Sequence, residues 1–312
     1  MNKSLTLTII TPVFNGEKYI VETINSVLSA NISCSFEYIV INDGSTDSTL
    51  KLLKTFGRRI SLYSQTNIGE AASVNRGLEY AKGKFVMVLS ADDPMLQGNL
   101  VEKALSLFHA DEQIVAVYPD WNVIDEEGQV LKTNLLSDYS EDEMLGKSKC
   151  LPGPGVIFLK SAALDIAGRN PKWKYVSDFD FWLRLSRKGR IAHLPEVLAQ
   201  WRANDDSTSI SQRNQRMASE RIWVIEEFLR ENIVSKDLER RALGSAYYLA
   251  ARLSFFDSAI NGRQLIIKAL KYRKGIPEEC RIRELIFLLF FPISMTIIRK
   301  LPRRLVNSLT KR

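Results

Sequence analysis

An apolar run that ends in two adjacent carboxylates constrains the fold of this chain most strongly. Five of the six residues from Phe85 to Ser90 are apolar, the pattern of a strand buried on both faces of a parallel sheet. Asp92 and Asp93 follow, and because neighbouring carboxylates repel and are costly to bury, both are expected at the solvent-facing carboxyl end of the strand. Ligands bind at that edge of open α/β sheets, where Mg²⁺ or Mn²⁺ would offset the repulsion and hold a diphosphate. A solvated Asp-Asp-Pro turn is the alternative.

Strand-like and helix-like segments alternate through the first half of the chain. Strands are predicted at residues 5–10, 37–41 and 60–63, and helices at 20–28, 48–56 and 70–82. This alternation is typical of the α/β class with a doubly wound, mostly parallel sheet. Proline has no N–H for a strand ladder, so Pro12 is predicted to end the first strand, and Asn15 or Gly16 to cap the next helix. Gly83 is predicted to end the helix at 70–82.

The turns after these strands carry aromatic, Asp, Asn and Gly residues that could contact a ligand. Phe14 follows the first strand, where its ring can stack on a planar ligand or pack against the next helix. Asp43 follows the second strand, and this segment either accepts a hydrogen bond from an imide N–H or only caps the next helix. Asn67 and Gly69 follow the third strand. Because parallel strands share their carboxyl edge, these turns are predicted to converge on one rim.

A run of alternating proline and glycine precedes a strand predicted at residues 156–159. Each proline restricts the residue before it, so the loop that holds Pro154 and Gly155 is stiff and not helical. This loop either shapes a pocket for an acceptor or serves as an ordinary connector.

A helix is predicted at residues 177–185, with Ser177 as its cap and with Asp178 and Asp180 in its first turn. Capping explains one of these carboxylates but not both together with the neighbouring Arg184. A helix N-terminus also tends to keep Asp178 ionised, which a general base requires.

Charge is unevenly distributed along the 312 residues. The net charge is +7, but residues 260–312 carry 13 Lys and Arg against 3 Asp and Glu, a local excess of +10 that leaves the remainder at −3. A basic tail on a weakly acidic body argues against a nucleic-acid-binding core, so no nucleic-acid partner is expected. Three well-separated cysteines and an N-terminus without a signal-peptide pattern indicate a reducing, cytoplasmic location.

The pattern changes to purely helical from residue 210 onward, which predicts a second region with all-α packing. We expect a first domain at 1–210, a helical domain at 211–280 and a basic, apolar tail at 281–312. The apolar part of the tail, residues 285–298, is too short to cross a bilayer, which takes about 20 residues. Its basic flanks suit peripheral contact with the inner face of an anionic membrane, and packing against protein is the alternative.

Taken in order, the motifs of residues 5–209 resemble those of the inverting glycosyltransferases of family 2, which have the GT-A fold. The matching motifs are Thr11-Pro12-Val13-Phe14-Asn15, Asn42 to Asp47, Asn67 with Gly69 and Asn75, Ser90 to Asp93, Pro154-Gly155, Asp178 to Leu185, and Trp201-Arg202 with Ser207 and Ser209. Each motif alone is common, whereas the whole set in this order is specific.

The resemblance implies a metal-dependent enzyme that moves a sugar from a UDP- or dTDP-linked donor to a hydroxyl of a saccharide. The membrane-facing tail suggests the hypothesis of a lipid-linked saccharide acceptor, as in surface polysaccharide biosynthesis. The resemblance makes Asp93, together with Asp92, the ligand of Mn²⁺ or Mg²⁺, and Asp178 the base that deprotonates the acceptor. It places around the nucleotide sugar Pro12, Val13, Phe14, Glu17, Asp43, Asn67, Gly69, Ser90 and Asp92. It places on the acceptor side Pro154, Gly155, Asp180 and Arg184.

Four positions depart from the family pattern, of which Asn42, in place of the commoner Asp, matters little. Ser177 stands where a Glu often precedes the base, and Ser90 stands where another Asp is frequent. Asn204 replaces a His that contacts the metal in many relatives, which lowers the expected metal affinity.

A catalytically inactive protein that binds sugar nucleotides is the alternative function. It would keep Asp43 and the Asp92-Asp93 pair but would not need Asp178. The chain has no Gly-x-Gly-x-x-Gly turn after its first strand, no P-loop and no His cluster, so an oxidoreductase or a phosphohydrolase fits less well.

Overall fold

A computed structural model of the chain describes residues 5–203, 215–254 and 259–272. The chain divides into two compact units, one of residues 1–139 and 150–207 and the other of residues 140–149 and 208–312. The sequence patterns did not predict that the short segment 140–149 groups with the C-terminal helices. The tail at 281–312 and three motif residues fall outside the described residues, namely Asn204, Ser207 and Ser209.

The first unit is built on one eight-stranded sheet in the order β3-β2-β1-β4-β7-β5-β6, with β8 paired to β5. The strands are β1 (Leu7–Val13), β2 (Phe36–Asp43), β3 (Ser61–Gln65), β4 (Phe85–Val88), β5 (Ile114–Ile124), β6 (Val130–Asn134), β7 (Ile157–Leu159) and β8 (Arg190–Arg202). The helices are α1 (Ile20–Ser29), α2 (Thr49–Lys54), α3 (Glu70–Tyr80), α4 (Leu100–Ala110), α5 (Lys160–Asp165) and α6 (Ser177–Leu185). Strands β1 to β4 run parallel, and so do β5 and β8, whereas β6 and β7 are antiparallel to their neighbours. The predicted α/β class with a mostly parallel sheet is confirmed.

Apolar side chains of the central strand β1 pack on both faces of the sheet. Leu7 and Ile9 are fully buried in a core cluster that also contains the apolar stripes of α1 and α4. Ile10 points to the opposite face, where a Cβ on Gly77 of α3 would lie only 2.5 Å from its Cγ2. Burying each such side chain contributes about 1.5–3 kcal/mol, so helices are held on both faces and the carboxyl edge is left for ligands.

Pro12 does not end the first strand, so that prediction was wrong. β1 continues to Val13, and Pro12 lies opposite Ile41 of β2. The pairing of β1 with β4 reaches only Ile10. Proline is tolerated at this position because β1 has a paired neighbour on one side only.

Gly83 does not cap α3, which ends at Tyr80 with Ala81 as its C-cap. It lies against β1 instead, where a Cβ would approach the carbonyl carbon of Leu7 to 2.5 Å and the N–H of Gly83 donates to Thr8 Oγ1 at 2.9 Å. The glycine is therefore needed for close packing beside the sheet.

The second unit is helical in the part of it that the structure describes. Its helices are α7 (Gln215–Glu231), α8 (Lys236–Ser254) and α9 (Ala259–Lys271), with a π-helical turn at Asp142–Gly146. Ser245 of α8 donates from Oγ to the carbonyl of Leu145 at 3.3 Å, which joins that turn to the helices. No helix in the described ranges is long and apolar enough to cross a lipid bilayer.

Candidate active site

Hydrogen bonds join the turns that follow β1 and β2. Asn15 has a left-handed φ of 52°, its N–H donates to Ser45 Oγ at 3.0 Å, and its Oδ1 accepts the N–H of Thr46 at 2.8 Å. Asn15 therefore joins the two turns, and α1 has Tyr19 as its N-cap, so the prediction that Asn15 or Gly16 caps this helix was wrong. The carboxylate of Glu17 accepts the N–H of Ser48 at 2.8 Å, so it stabilises the start of α2.

Asp43 closes the turn after β3. It is the last residue of β2 and is 3% exposed. Its Oδ1 accepts hydrogen bonds from Gln65 Nε2 at 2.8 Å and from the N–H of Ile68 at 2.9 Å, and its Oδ2 accepts the N–H of Gly69 at 2.9 Å. Neither interpretation of the sequence anticipated these partners. A carboxylate has about four acceptor sites, so one remains on Oδ2, and the nucleotide contact of Asp43 stays a prediction.

The residues predicted to border the nucleotide differ in exposure. Pro12 and Val13 are buried within the sheet, whereas Phe14 is 51% exposed. Asn67, Gly69 and Ser90 are exposed as well. Among these predicted residues, the ring of Phe14 is the large apolar surface that a planar ligand can reach.

The carboxylate pair after β4 is only partly accessible. The pair lies at the carboxyl end of β4 as predicted, but only half-buried Asp92 is accessible to solvent, because Asp93 is 2% exposed. The Oδ1 atom of Asp93 accepts the backbone N–H of Arg202 at 2.7 Å. Burial and, to a smaller extent, the neighbouring charge of Asp92 raise the pKa of Asp93 to about 8, although hydrogen bonds from Arg202 and Ser90 oppose the shift.

These two carboxylates fit a hard divalent cation. Mg²⁺ in nucleotide enzymes is usually held by one or two carboxylates together with substrate phosphates and water. No group of three or more His, Cys, Asp or Glu residues that could hold a metal occurs within the described ranges. A cation held by Asp92 and Asp93 would therefore take its other ligands from a donor or from water. The raised pKa of Asp93 is typical of a buried carboxyl without enough positive charge beside it.

Two side chains to which the sequence analysis gave no role hold this turn. Thr23 of α1 donates from Oγ1 to the carbonyl of Ala91 at 2.9 Å. Arg202, the last residue of β8, donates from Nε to the carbonyl of Asp92 at 2.9 Å. Arg202 is part of a family-like motif, but nothing in the sequence signals that its side chain is buried.

The helix of the predicted base packs on the sheet next to β4. Ser177 is the first residue of α6 and not its cap, contrary to the prediction. Asp178 is half-buried, and its Oδ1 accepts the N–H of Phe179 at 2.7 Å. Phe181 packs edge-on against Phe158 of β7, with ring centroids 5.3 Å apart. Because β7 pairs with β4, this contact ties α6 to the strand that leads to the carboxylate pair.

The loop of Pro154 and Gly155 lies next to the turn after β4. β7 runs antiparallel to β4 with Ile157 opposite Met87, so the start of β7 meets the end of β4. Gly155 has a φ of +76°, and a Cβ there would lie 2.6 Å from Cβ of Ala199. Only glycine fits this position, and the acceptor-side role of the loop stays a prediction.

Asp180 and Arg184 have structural contacts. Arg184 donates from Nη2 and Nε to Asp180 Oδ2 at 2.6 and 2.9 Å. It also donates from Nη1 to the carbonyl of Ile166 at 2.6 Å and from Nη2 to that of Gly168 at 2.8 Å. The pair therefore clamps the turn at 166–168 onto α6, and these contacts give no support to the predicted acceptor-side role.

We expect Asp180→Ala to lower the free energy of unfolding by about 2 kcal/mol, because hydrogen bonds to charged groups contribute about 1.5–3 kcal/mol. Urea unfolding of the purified variant measures this change. The matched control is Asp165→Ala, which removes an exposed carboxylate of α5 and should stay within about 0.5 kcal/mol of the wild type. A stable Asp180→Ala variant that fails only in acceptor use would restore the acceptor-side role.

Comparisons with known proteins agree with this architecture. Residues 8–162 match the model for Glycosyl transferase family 2. An uncharacterized glycosyltransferase of Rickettsia typhi is 28% identical over 234 residues, which are 70% of this chain and 70% of that protein. The hyaluronan synthase of Pasteurella multocida is 27% identical over 213 residues, which are 67% of this chain and 22% of that protein.

Two solved structures share the fold at low sequence identity. S. aureus TarS in complex with UDP-GlcNAc has a TM-score of 0.57 and 17% identity, with 86% of this chain and 90% of that chain covered. The mannosyltransferase PcManGT of Pyrobaculum calidifontis, in complex with GDP-Man and Mn²⁺, has a TM-score of 0.59 and 15% identity, with 86% and 76% covered. From the family match, the named relatives and the shared architecture, the chain belongs to glycosyl transferase family 2 and is a glycosyltransferase with the GT-A fold.

Proposed function

We propose that this enzyme is a metal-dependent, inverting transferase that moves a sugar from a UDP- or dTDP-linked donor to a hydroxyl of a saccharide acceptor. The observation that carries the proposal is the turn after β4, where half-buried Asp92 and buried Asp93 stand at the carboxyl edge of the sheet. The UDP-GlcNAc in TarS and the GDP-Man and Mn²⁺ in PcManGT support a nucleotide-sugar donor and a divalent cation. Such a cation would neutralise charge on the leaving diphosphate.

In this proposal Asp178 acts on the acceptor. Its carboxylate accepts the proton of the acceptor hydroxyl as that oxygen attacks the anomeric carbon from the face opposite the nucleotide, which inverts the configuration.

The turns after β1, β2 and β4 bind the donor. The exposed ring of Phe14 stacks on the base, and the remaining acceptor site of Asp43 takes the imide N–H that uracil and thymine share. Asp92 and Asp93 supply the carboxylate ligands of Mn²⁺ or Mg²⁺.

A panel of UDP-, dTDP- and GDP-sugars tests the donor class. Calorimetry with and without Mn²⁺ or Mg²⁺ measures binding, and release of nucleotide without acceptor measures slow hydrolysis. The proposal expects cation-dependent binding of the uracil or thymine donors. Preference for guanine donors, or binding that ignores the cation, would contradict it.

We also propose that residues 1–210 form the catalytic domain, residues 211–280 a helical domain, and residues 281–312 a peripheral membrane contact at the inner face of the membrane. The role we propose is surface polysaccharide synthesis with a saccharide or lipid-linked acceptor, and the similarity to the hyaluronan synthase supports the polysaccharide product. The +10 charge excess of residues 260–312 supports attraction to anionic lipid, worth about 1 kcal/mol per basic residue near the surface.

Deletion of residues 281–312 should lower co-sedimentation with phosphatidylglycerol vesicles at least tenfold, because both the apolar segment and most of the basic residues are lost. Phosphatidylcholine vesicles are the control for charge. If the deleted and full-length proteins bind both vesicle types equally, the membrane contact is wrong.

A further inference from the structure

One arginine, Arg202, is buried beside the carboxylate turn. It ends β8, and its side chain is 1% exposed. A guanidinium group has five N–H donors and keeps its charge, so burying it is costly unless nearly every donor finds an acceptor. The hydrogen-bond partners of Arg202 therefore indicate the role of its guanidinium group.

Arg202 holds the carboxylate turn at two points. Its backbone N–H donates to Asp93 Oδ1 at 2.7 Å, and its side-chain Nε donates to the carbonyl of Asp92 at 2.9 Å. One bond fixes the side chain of Asp93 and the other fixes the backbone that carries Asp92. The orientation of both candidate metal ligands thus depends on the same residue.

The other donors of Arg202 bind neighbouring segments. Nη1 donates to the carbonyls of Glu126 at 2.7 Å and of Asp125 at 3.1 Å in the turn between β5 and β6. Nη2 donates to Glu22 Oε2 of α1 at 2.8 Å, and the ring of Tyr19 lies 4.5 Å from Cζ. Two segments outside the carboxylate turn, the β5–β6 turn and α1 with its N-cap Tyr19, therefore hold the guanidinium, and this prevents it from following a displaced Asp92.

We infer that Arg202 is a positioning residue that sets the Asp92-Asp93 turn in the geometry needed to bind a divalent cation with a nucleoside diphosphate. The inference rests on the proposed function. The planar fork of arginine bonds in several directions at once, whereas the ammonium of lysine is a point charge on a flexible stem. Lysine at this position keeps the charge and the backbone N–H but cannot reach all these carbonyls.

Arg202→Lys tests the inference, with Mn²⁺ and UDP as probes. The quantity measured is the ratio of the UDP dissociation constants without and with Mn²⁺, by calorimetry. Loss of a residue that orients metal ligands typically lowers metal affinity about 10–100-fold, so this ratio should fall by about that factor. Uniform destabilisation of the fold would weaken UDP binding in both conditions and leave the ratio unchanged.

Arg190→Lys is the matched control, because Arg190 begins the same strand and pairs with Asp111 at the surface. Its ratio should stay within about twofold of the wild type. Arg202→Gln, which is neutral but still a donor, should lower the ratio as Arg202→Lys does.

The outcomes separate the inference from the proposed function. A folded Arg202→Lys variant with the wild-type ratio overturns the inference alone, and failure of both Arg202 variants to fold overturns it in favour of a purely structural role. A wild-type protein whose UDP binding does not respond to Mn²⁺ overturns the proposed function itself.

Discussion

Asp178→Asn should lower kcat for sugar transfer about 10³-fold and leave the donor dissociation constant within about twofold of the wild type. General-base catalysis contributes about 10²–10⁴ in rate, and an amide cannot accept the acceptor proton. The substitution keeps the shape of the side chain, and Oδ1 can still accept the N–H of Phe179 at the start of α6. Steady-state kinetics and calorimetry with the donor separate the two effects.

Asp165→Asn, at an exposed carboxylate of α5, is the control for charge removal. It should change neither kcat nor the donor dissociation constant. Slow hydrolysis of the donor without acceptor gives a second comparison, because water as nucleophile needs the same base. If the wild type and Asp178→Asn bind donor equally and neither transfers sugar to any acceptor, the inactive sugar-nucleotide-binding protein becomes the better interpretation. Equal transfer by the two proteins would show that another group is the base.

Local periodicity is sufficient to predict the elements that frame the site. The pattern predicts α3 at residues 70–82 and the structure has it at Glu70–Tyr80, while the apolar run after residue 84 becomes β4 (Phe85–Val88). Apolar spacing reports directly which faces of an element are buried, so these elements follow from the sequence. Their order and parallel direction then place Asp43 and Asp92 at one edge of the sheet.

Contacts between residues far apart in the chain have no such pattern. The backbone N–H of Arg202 bonds to Asp93 across 109 positions, and this contact buries a carboxylate that local reasoning places in solvent. Likewise, the partners of Asp43 come from the turn after β3 and not from the helix that follows it. Pro12 fits within β1 because the neighbouring strand β4 pairs with β1 only as far as Ile10, so no N–H is needed on that side of Pro12. In each case a tertiary neighbour decides the outcome.

Asp92→Asn should lower kcat/KM with Mn²⁺ about 10²–10³-fold, the second large effect. Asp92 is half-buried, so it is the more accessible carboxylate of the pair, and its charge is expected to contribute directly to the cation site. Loss of one preorganised charge interaction at a reacting centre typically costs about 10²–10³ in rate. A titration of rate against Mn²⁺ concentration measures the change, and the midpoint should move to higher concentration. A variant that saturates with Mn²⁺ as the wild type does would exclude Asp92 as a ligand.

Asp93→Asn removes the charge of the buried carboxylate next to Asp92 but keeps the shape of its side chain. Burial raises the pKa of Asp93 from its ordinary value of 3.8 to about 8. Between these values the metal-free folded state holds a proton that the unfolded state has lost, so the stability of the wild type should fall as pH rises from about 4 to about 8. Asparagine does not titrate, so Asp93→Asn should show a weaker fall. With saturating Mn²⁺ and UDP at pH 8, the wild type should become more stable than Asp93→Asn, because only the wild type binds the cation with a full negative charge at this position. If both proteins gain the same stability from Mn²⁺ and UDP, Asp93 is a support for the turn and Asp92 binds the cation without it.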